Sequence, residues 1–333
     1  MKHYDKTLRA PLWARGGHSQ TLLGHVLPSP GEKIGSAYGH ASSSIELDDG
    51  DQLVAFVLPP IGPPNNVRVH LFHGLSGDVN SEYMRRTAEV LRAKGCEVWA
   101  VNHRGCGEGL GLAKGLYHSG KVEDMQAVLT ASRNAPGGAD RRHVVLGFSL
   151  SANIALLLAA KKLEPAPDGV LAVNPPMDLA RAAHDIHLGG NRIYELRFLR
   201  RLCRAMEQRF LAGQLERRMP ITKTMSLAAF DDVVTAPLGG FTSGADYYER
   251  CSTHLRLRDI ELPTVIITTR DDPFVSGRAL DSLAHSPSVH LHLENTGGHV
   301  GYLSRGAYPF SFTRWLDGAV MHYLEELVRE IEN

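Results

Sequence analysis

From residue 43 onward the chain alternates between short apolar runs and longer segments with a one-sided apolar stripe. Residues 45–47, a polar turn at 48–51 and a return run at 53–58 predict a hairpin. Four further runs, 67–72, 98–101, 143–148 and 170–173, are apolar almost throughout, as strands are when both faces of a parallel sheet are covered. Between them, 82–93, 121–133 and 150–162 are patterned as helices, so the chain reads βαβα with right-handed crossovers into one doubly wound, mostly parallel sheet. The alternation stops after Pro175-Pro176 and resumes at 264–269 and 289–293. The interval 178–250 reads as mostly helical and predicts a cap inserted into a single domain spanning 1–333. A last helix is expected where Phe312, Trp315, Leu316, Ala319, Val320, Tyr323, Leu324, Leu327 and Val328 recur at three- and four-residue spacing, a stripe that should pack on the sheet.

Composition narrows the class of protein. With 43% apolar and 22% charged residues among 333, the chain can build a full core. Lys+Arg and Asp+Glu both total 36, a balance that argues against a nucleic-acid partner and favours a neutral or weakly charged small molecule. The first residues carry charge with no apolar h-region behind them, and the apolar run 154–160 is far short of the roughly 20 residues needed to cross a bilayer. Four scattered cysteines without a CxxC pair suit reduced thiols, so a cytoplasmic location is expected. Nine arginines between Arg181 and Arg218 read first as solvated helix faces, with contact to a phosphate head group or an anionic membrane surface as the alternative. The sequence leaves the oligomeric state open.

The candidate chemistry starts at Gly147-Phe-Ser149-Leu-Ser151, where a strand runs into a helix. A serine at such a junction, with small residues two positions away on each side, has the form of a nucleophile elbow: the sharp turn lifts Oγ off the sheet edge, and only small neighbours permit it. Ser151 stands where Gly is usual, which tightens strand-helix packing. Earlier, Phe72-His73-Gly74-Leu75-Ser76-Gly77 ends a strand in a glycine-rich loop able to curl beside the elbow. Backbone N–H groups of Leu75 and Leu150 are the expected oxyanion donors. His73 itself reads as structural. Asp271-Asp272-Pro273 follows the 264–269 run, and Gly298-His299 follows the last one. The order Ser, Asp, His is that of α/β-hydrolases, with His299 as base and Asp272 fixing its tautomer. Asp271 competes for that role, but the Asp-Pro pair favours Asp272 and leaves Asp271 as a helix N-cap or a solvated charge. His70 with His73, and His290 with His292, lack a third ligand at metal-binding spacing and read as strand-surface histidines.

These motifs, with Pro11-Leu-Trp13, His18-Ser-Gln20-Thr21, Ser81-Glu-Tyr83, Asn102-His-Arg104-Gly-Cys106-Gly, Asn153, Phe230-Asp231 and Asp246-Tyr-Tyr248, cover nearly the whole chain in order. The chain resembles the YheT-like α/β-hydrolases, related to the eukaryotic acylglycerol lipase and medium-chain ester synthase branch. The resemblance implies an α/β-hydrolase fold, hydrolysis of acyl esters, a triad at Ser149, Asp272 and His299, and no metal or organic cofactor. Two alternatives share the same residues. One passes the acyl group to an alcohol in place of water, and the other is a catalytically silent binding protein.

Overall fold

The computed structural model describes residues 1–275 and 283–332. Its main sheet is built from β1 (Ala41–Glu46), β2 (Gln52–Leu58), β3 (Val67–Phe72), β4 (Glu97–Asn102), β5 (Arg142–Phe148), β6 (Gly169–Val173), β7 (Thr264–Thr269) and β8 (Val289–Glu294), in spatial order β1-β2-β4-β3-β5-β6-β7-β8. The β1–β2 and β2–β4 pairs are antiparallel and every later pair is parallel. All six residues of β3 and of β7 are buried, which is why their sequences show no alternation.

The larger helices are α1 (Gly17–Val26), α2 (Glu82–Ala93), α3 (Val122–Asn134), α4 (Leu150–Lys161), α5 (Leu179–His187) and α6 (Arg192–Leu211). The short α7 (Leu227–Phe230), α8 (Ala236–Gly239) and α9 (Gly244–Cys251) follow, and α10 (Trp315–Glu332) closes the chain. One face of the sheet is covered by α2 and α10, the other by α3 and α4. α4 is buried on every side from Leu150 to Ala159, so it has no polar face to advertise. Each of its leucines adds roughly 1.5–3 kcal/mol of burial, which anchors the helix that begins at Ser149.

Helices α5 to α9 all lie between β6 and β7 in the chain, where sequence patterning placed a helical insertion. Two details differ from expectation. Phe312 does not begin the last helix. It lies in β10 (Phe312–Arg314), which pairs with β9 (Leu303–Arg305) in a two-stranded ribbon too short for periodicity to register. His70, His73 and His292 are not on a strand surface: all three are at most 1% exposed, because helices cover both sheet faces. Among the described residues no cluster of His, Cys, Asp or Glu is arranged to hold a metal, and no helix is long and apolar enough to cross a membrane.

Candidate active site

β5 occupies an interior position between β3 and β6, and its last hydrogen bond is made by Ser149, whose N–H donates to Val173 O at 2.8 Å. There the backbone turns through φ +53°, ψ −120°, a conformation that costs a non-glycine residue energy and is held by the surrounding structure. Gly147 allows the turn, since a Cβ at that position would sit 2.5 Å from the Ser151 carbonyl oxygen. Ser151 fits because its hydroxyl is used. It donates to the His73 carbonyl and accepts from His103 Nε2 at 2.6 Å, with Ser151 fully buried.

The turn presents Ser149 Oγ to His299 Nε2 at 2.9 Å. His299 Nδ1 lies 2.7 Å from Asp272 Oδ2, so a proton on Nδ1 is held by the carboxylate and Nε2 is left to accept from the serine. Asp272 is itself fully engaged. Its Oδ2 accepts from Asn174 Nδ2 at 2.8 Å, and its Oδ1 accepts the N–H groups of Phe274 at 3.1 Å and Val275 at 2.9 Å. Asn174 adopts φ +49° at the end of β6, where its amide also accepts from Val300 N at 3.3 Å. The Phe274 ring lies against His299 at 4.2 Å between centroids and limits the imidazole's tilt.

Asp271 has a different task from the one expected of it. Its carboxylate accepts from Gly298 N at 2.9 Å and Thr296 Oγ1 at 2.8 Å, bracing the loop that carries His299, and is neither free in solvent nor occupied with its own segment alone. The N-terminal region braces the same loop. Thr21 Oγ1 accepts from His299 N at 2.9 Å, and the buried Gln20 side chain bonds both the N–H and the carbonyl of Leu303. Gly17 packs so closely on Asp271 that a Cβ would lie 1.6 Å from its carbonyl oxygen.

The loop after β3 comes within contact of the elbow, with Gly74 placed so that a Cβ would be 3.1 Å from Ser149 Cβ. Tyr83 and Tyr117 hydroxyls hold it by accepting from Gly74 N at 2.9 Å and Ser76 N at 2.7 Å. Among the described residues neither Leu75 N–H nor Leu150 N–H is bonded to a protein acceptor, and both residues border the cavity beside Ser149. His73 holds the loop from inside. Its Nδ1 bonds the Gly74 carbonyl at 2.8 Å, its Nε2 accepts from His103 N at 3.2 Å, and burial pulls it down to about 4, so the ring is neutral and structural.

Two cavities meet at Ser149. One, of about 460 Å³, runs under the helical insertion and is walled by Leu179, Ile186, Phe198, Leu202, Met206 and Phe230 among others. The second, of about 420 Å³, opens on the His299 side and is more polar, with His25, Asp78, Glu82, Arg197 and Arg201 on its walls. Burial pulls His25 down to about 4, and Cys106 in the first cavity is pushed up to about 12 by burial, so its thiol does not compete as a nucleophile.

A mostly parallel sheet with helices on both faces and a serine on a strained strand-helix turn define a hydrolase of the α/β class, and the chain belongs to the α/β-hydrolase family, whose model matches residues 67–305. Within that family it is YheT-like. It is 32% identical over 289 residues to YheT of Escherichia coli (strain K12), an esterase by name, covering 84% of this chain and 83% of that protein. It is 26% identical to the monoacylglycerol lipase of Saccharomyces cerevisiae over 78% of this chain, spanning 59% of that protein's length. The fold matches the Pyrococcus furiosus esterase Pf2001 with a TM-score of 0.59 at 15% identity, over 98% of this chain and all of that one. The chain is thereby placed among carboxylic ester hydrolases of the esterase/lipase type.

Proposed function

We propose that the protein cleaves acyl esters through a covalent intermediate on Ser149. The observation that carries this reading is the unbroken chain from Ser149 Oγ through His299 to Asp272, with contacts of 2.9 and 2.7 Å, set where two cavities meet. His299 Nε2 takes the hydroxyl proton as Oγ attacks the ester carbonyl, and the Asp272 carboxylate stabilises the imidazolium that forms. The Leu75 and Leu150 amides receive the oxyanion, Leu150 with the added field of the α4 N-terminus. The proton then passes from Nε2 to the departing alcohol, and water activated by the same nitrogen clears the acyl group. No step requires a metal or an organic cofactor.

The apolar cavity suits the acyl chain and the polar one the alcohol. The helical insertion, residues 178–250, acts as a cap that keeps water from the acyl side. Hydrolysis is preferred to acyl transfer because two relatives that cover most of the chain are named for ester cleavage, an esterase and a monoacylglycerol lipase. Ser149→Ala should lower turnover of p-nitrophenyl acyl esters by a factor of about 10⁴ or more and abolish labelling by a fluorophosphonate. Full activity in that variant, or labelling at another residue, refutes the assignment.

A further inference from the structure

The polar cavity has an electrostatic feature that ester hydrolysis alone does not require. Arg197 and Arg201 stand one turn apart on α6, both on the wall that faces Ser149 and His299. Some arginines of this region have their charge or donors taken up within the protein: Arg218 pairs with Glu207 at 2.9 Å, Arg192 with Glu195, and Arg209 donates to the Ala113 and Lys114 carbonyls at 2.8 and 3.0 Å. Arg200, Arg204 and Arg217 have no carboxylate partner among the described residues either, but they do not line the polar cavity; Arg197 and Arg201 do. Among the described residues neither Arg197 nor Arg201 has a carboxylate partner, and Arg201 Nη1 donates to the Ser76 carbonyl at 3.1 Å.

The cavity's two carboxylates do not answer them. Glu82 is held by Arg85 at 3.1 Å, and Asp78 accepts from Asn80 N at 2.8 Å; neither makes an ion pair with Arg197 or Arg201. Arg197 and Arg201 both act on His25, which lines the same cavity, and add to the burial that pulls it down. Burial and Arg201 together also hold Arg197 below its ordinary range. Two like charges one helical turn apart repel each other, and an oxyanion placed between two guanidinium forks converts that repulsion into paired, charge-assisted hydrogen bonds.

We propose that Arg197 and Arg201 form an oxyanion subsite for the alcohol half of the ester, so that the preferred substrates carry a phosphate or carboxylate on their leaving group. The proposal rests on Ser149 being the nucleophile and on the alcohol occupying the polar cavity. It concerns binding only: the two arginines position the leaving group and take no part in proton transfer. Because the pair lies on an open wall, its attraction for the anion is partly screened by salt.

The test compares a short-chain monoacylglycerol with the matching acylglycerol phosphate, both kept below the concentration at which they aggregate. The wild-type protein should favour the anionic ester by about tenfold in kcat/KM, mostly through KM, and the preference should shrink as sodium chloride rises. In Arg197→Gln and Arg201→Gln the anionic-to-neutral ratio should fall several-fold each, and in the double variant approach one. Inorganic phosphate should inhibit competitively in the wild type and weakly in the double variant. Equal kcat/KM for the two esters, or a preference that survives in the double variant, overturns the subsite while leaving the hydrolase reading intact. Unchanged ratios with loss of sedimentation on phosphatidylglycerol vesicles overturn it in favour of a membrane-facing role. Failure to turn over either ester removes the hydrolase reading and the subsite with it.

Discussion

Ser151 offers the sharpest test of how the elbow is supported. Its hydroxyl is fully buried and joins two segments, donating to the His73 carbonyl and accepting from His103 Nε2 at 2.6 Å. His103 is 1% exposed, and its Nδ1 has no partner among the described residues, so this is the imidazole's one side-chain hydrogen bond. Burial holds the ring well below the usual histidine range, so it is neutral and the bond persists across ordinary pH. Ser151→Ala strands a buried N–H and deprives a buried carbonyl of its donor. At about 1–3 kcal/mol for each group, and less than full additivity within one network, the expected loss is about 2–4 kcal/mol. Ser151→Gly, the residue more usual at this point of the motif, should cost up to about 1 kcal/mol more through helix propensity. Urea unfolding gives the numbers directly. Pairing Ser151→Ala with His103→Phe should recover about 1–2 kcal/mol of the summed losses, because the stranded imidazole N–H is then removed and only the His73 carbonyl stays without its donor. If Ser151→Ala lies within about 0.5 kcal/mol of wild type, the hydroxyl is incidental and the account of why serine is accepted there is wrong.

Three further outcomes follow from the same geometry. Gly17→Ala should lower kcat at least about tenfold and reduce Tm, since its Cβ would meet the Asp271 carbonyl oxygen at 1.6 Å and displace the segment that holds Asp272; wild-type kcat in a folded variant would refute this. Ala205→Phe, on the wall of the 460 Å³ cavity, should move the preferred p-nitrophenyl ester to a shorter chain, with about tenfold or more lost for each methylene excluded; an unshifted profile would mean that the acyl group lies elsewhere. Asp231, buried against Thr235 and Tyr248, is raised by burial from 3.8 to about 6. A carboxyl raised on folding binds its proton more tightly in the folded state, so the wild type should gain roughly 3 kcal/mol over Asp231→Asn as pH falls from above 6 to below 4, and parallel unfolding curves across that window would refute it.

The strands and the serine turn were legible because their signals are local. A run of apolar residues and a small-x-Ser-x-small junction each fit within a few positions, and β3 and β7 fall at 67–72 and 264–269 as patterned. The three side chains singled out at Ser149, Asp272 and His299 do come within hydrogen-bond distance of one another. What escaped is nonlocal. Asn174 is one asparagine before two prolines, and nothing in that tripeptide says that its amide reaches Asp272 across 98 residues. Asp271 and Asp272 differ only by one step along the chain, yet that step points one carboxylate at the Gly298 amide and the other at the His299 ring. The buried histidines were misjudged for a related reason: alternation distinguishes the two faces of a sheet only when one of them meets water.

The long-range contacts also explain why the resemblance extends to residues far from the serine. Gln20 and Thr21 precede His299 by nearly the whole chain, yet they bond Leu303 and the His299 amide and so hold its loop from outside the sheet. Asp271 grips that loop from just beyond β7, and Asn174 ties it to the end of β6 through Val300. A histidine on a loop must hold its ring to within about half an ångström for proton transfer to a serine, and no single contact of roughly 1 kcal/mol enforces that. Three anchors from separate segments do so together. Damage at any one of them should therefore appear first as lost turnover and only secondarily as lost stability, whereas damage to the buried Ser151 network beneath the elbow should appear in the opposite order.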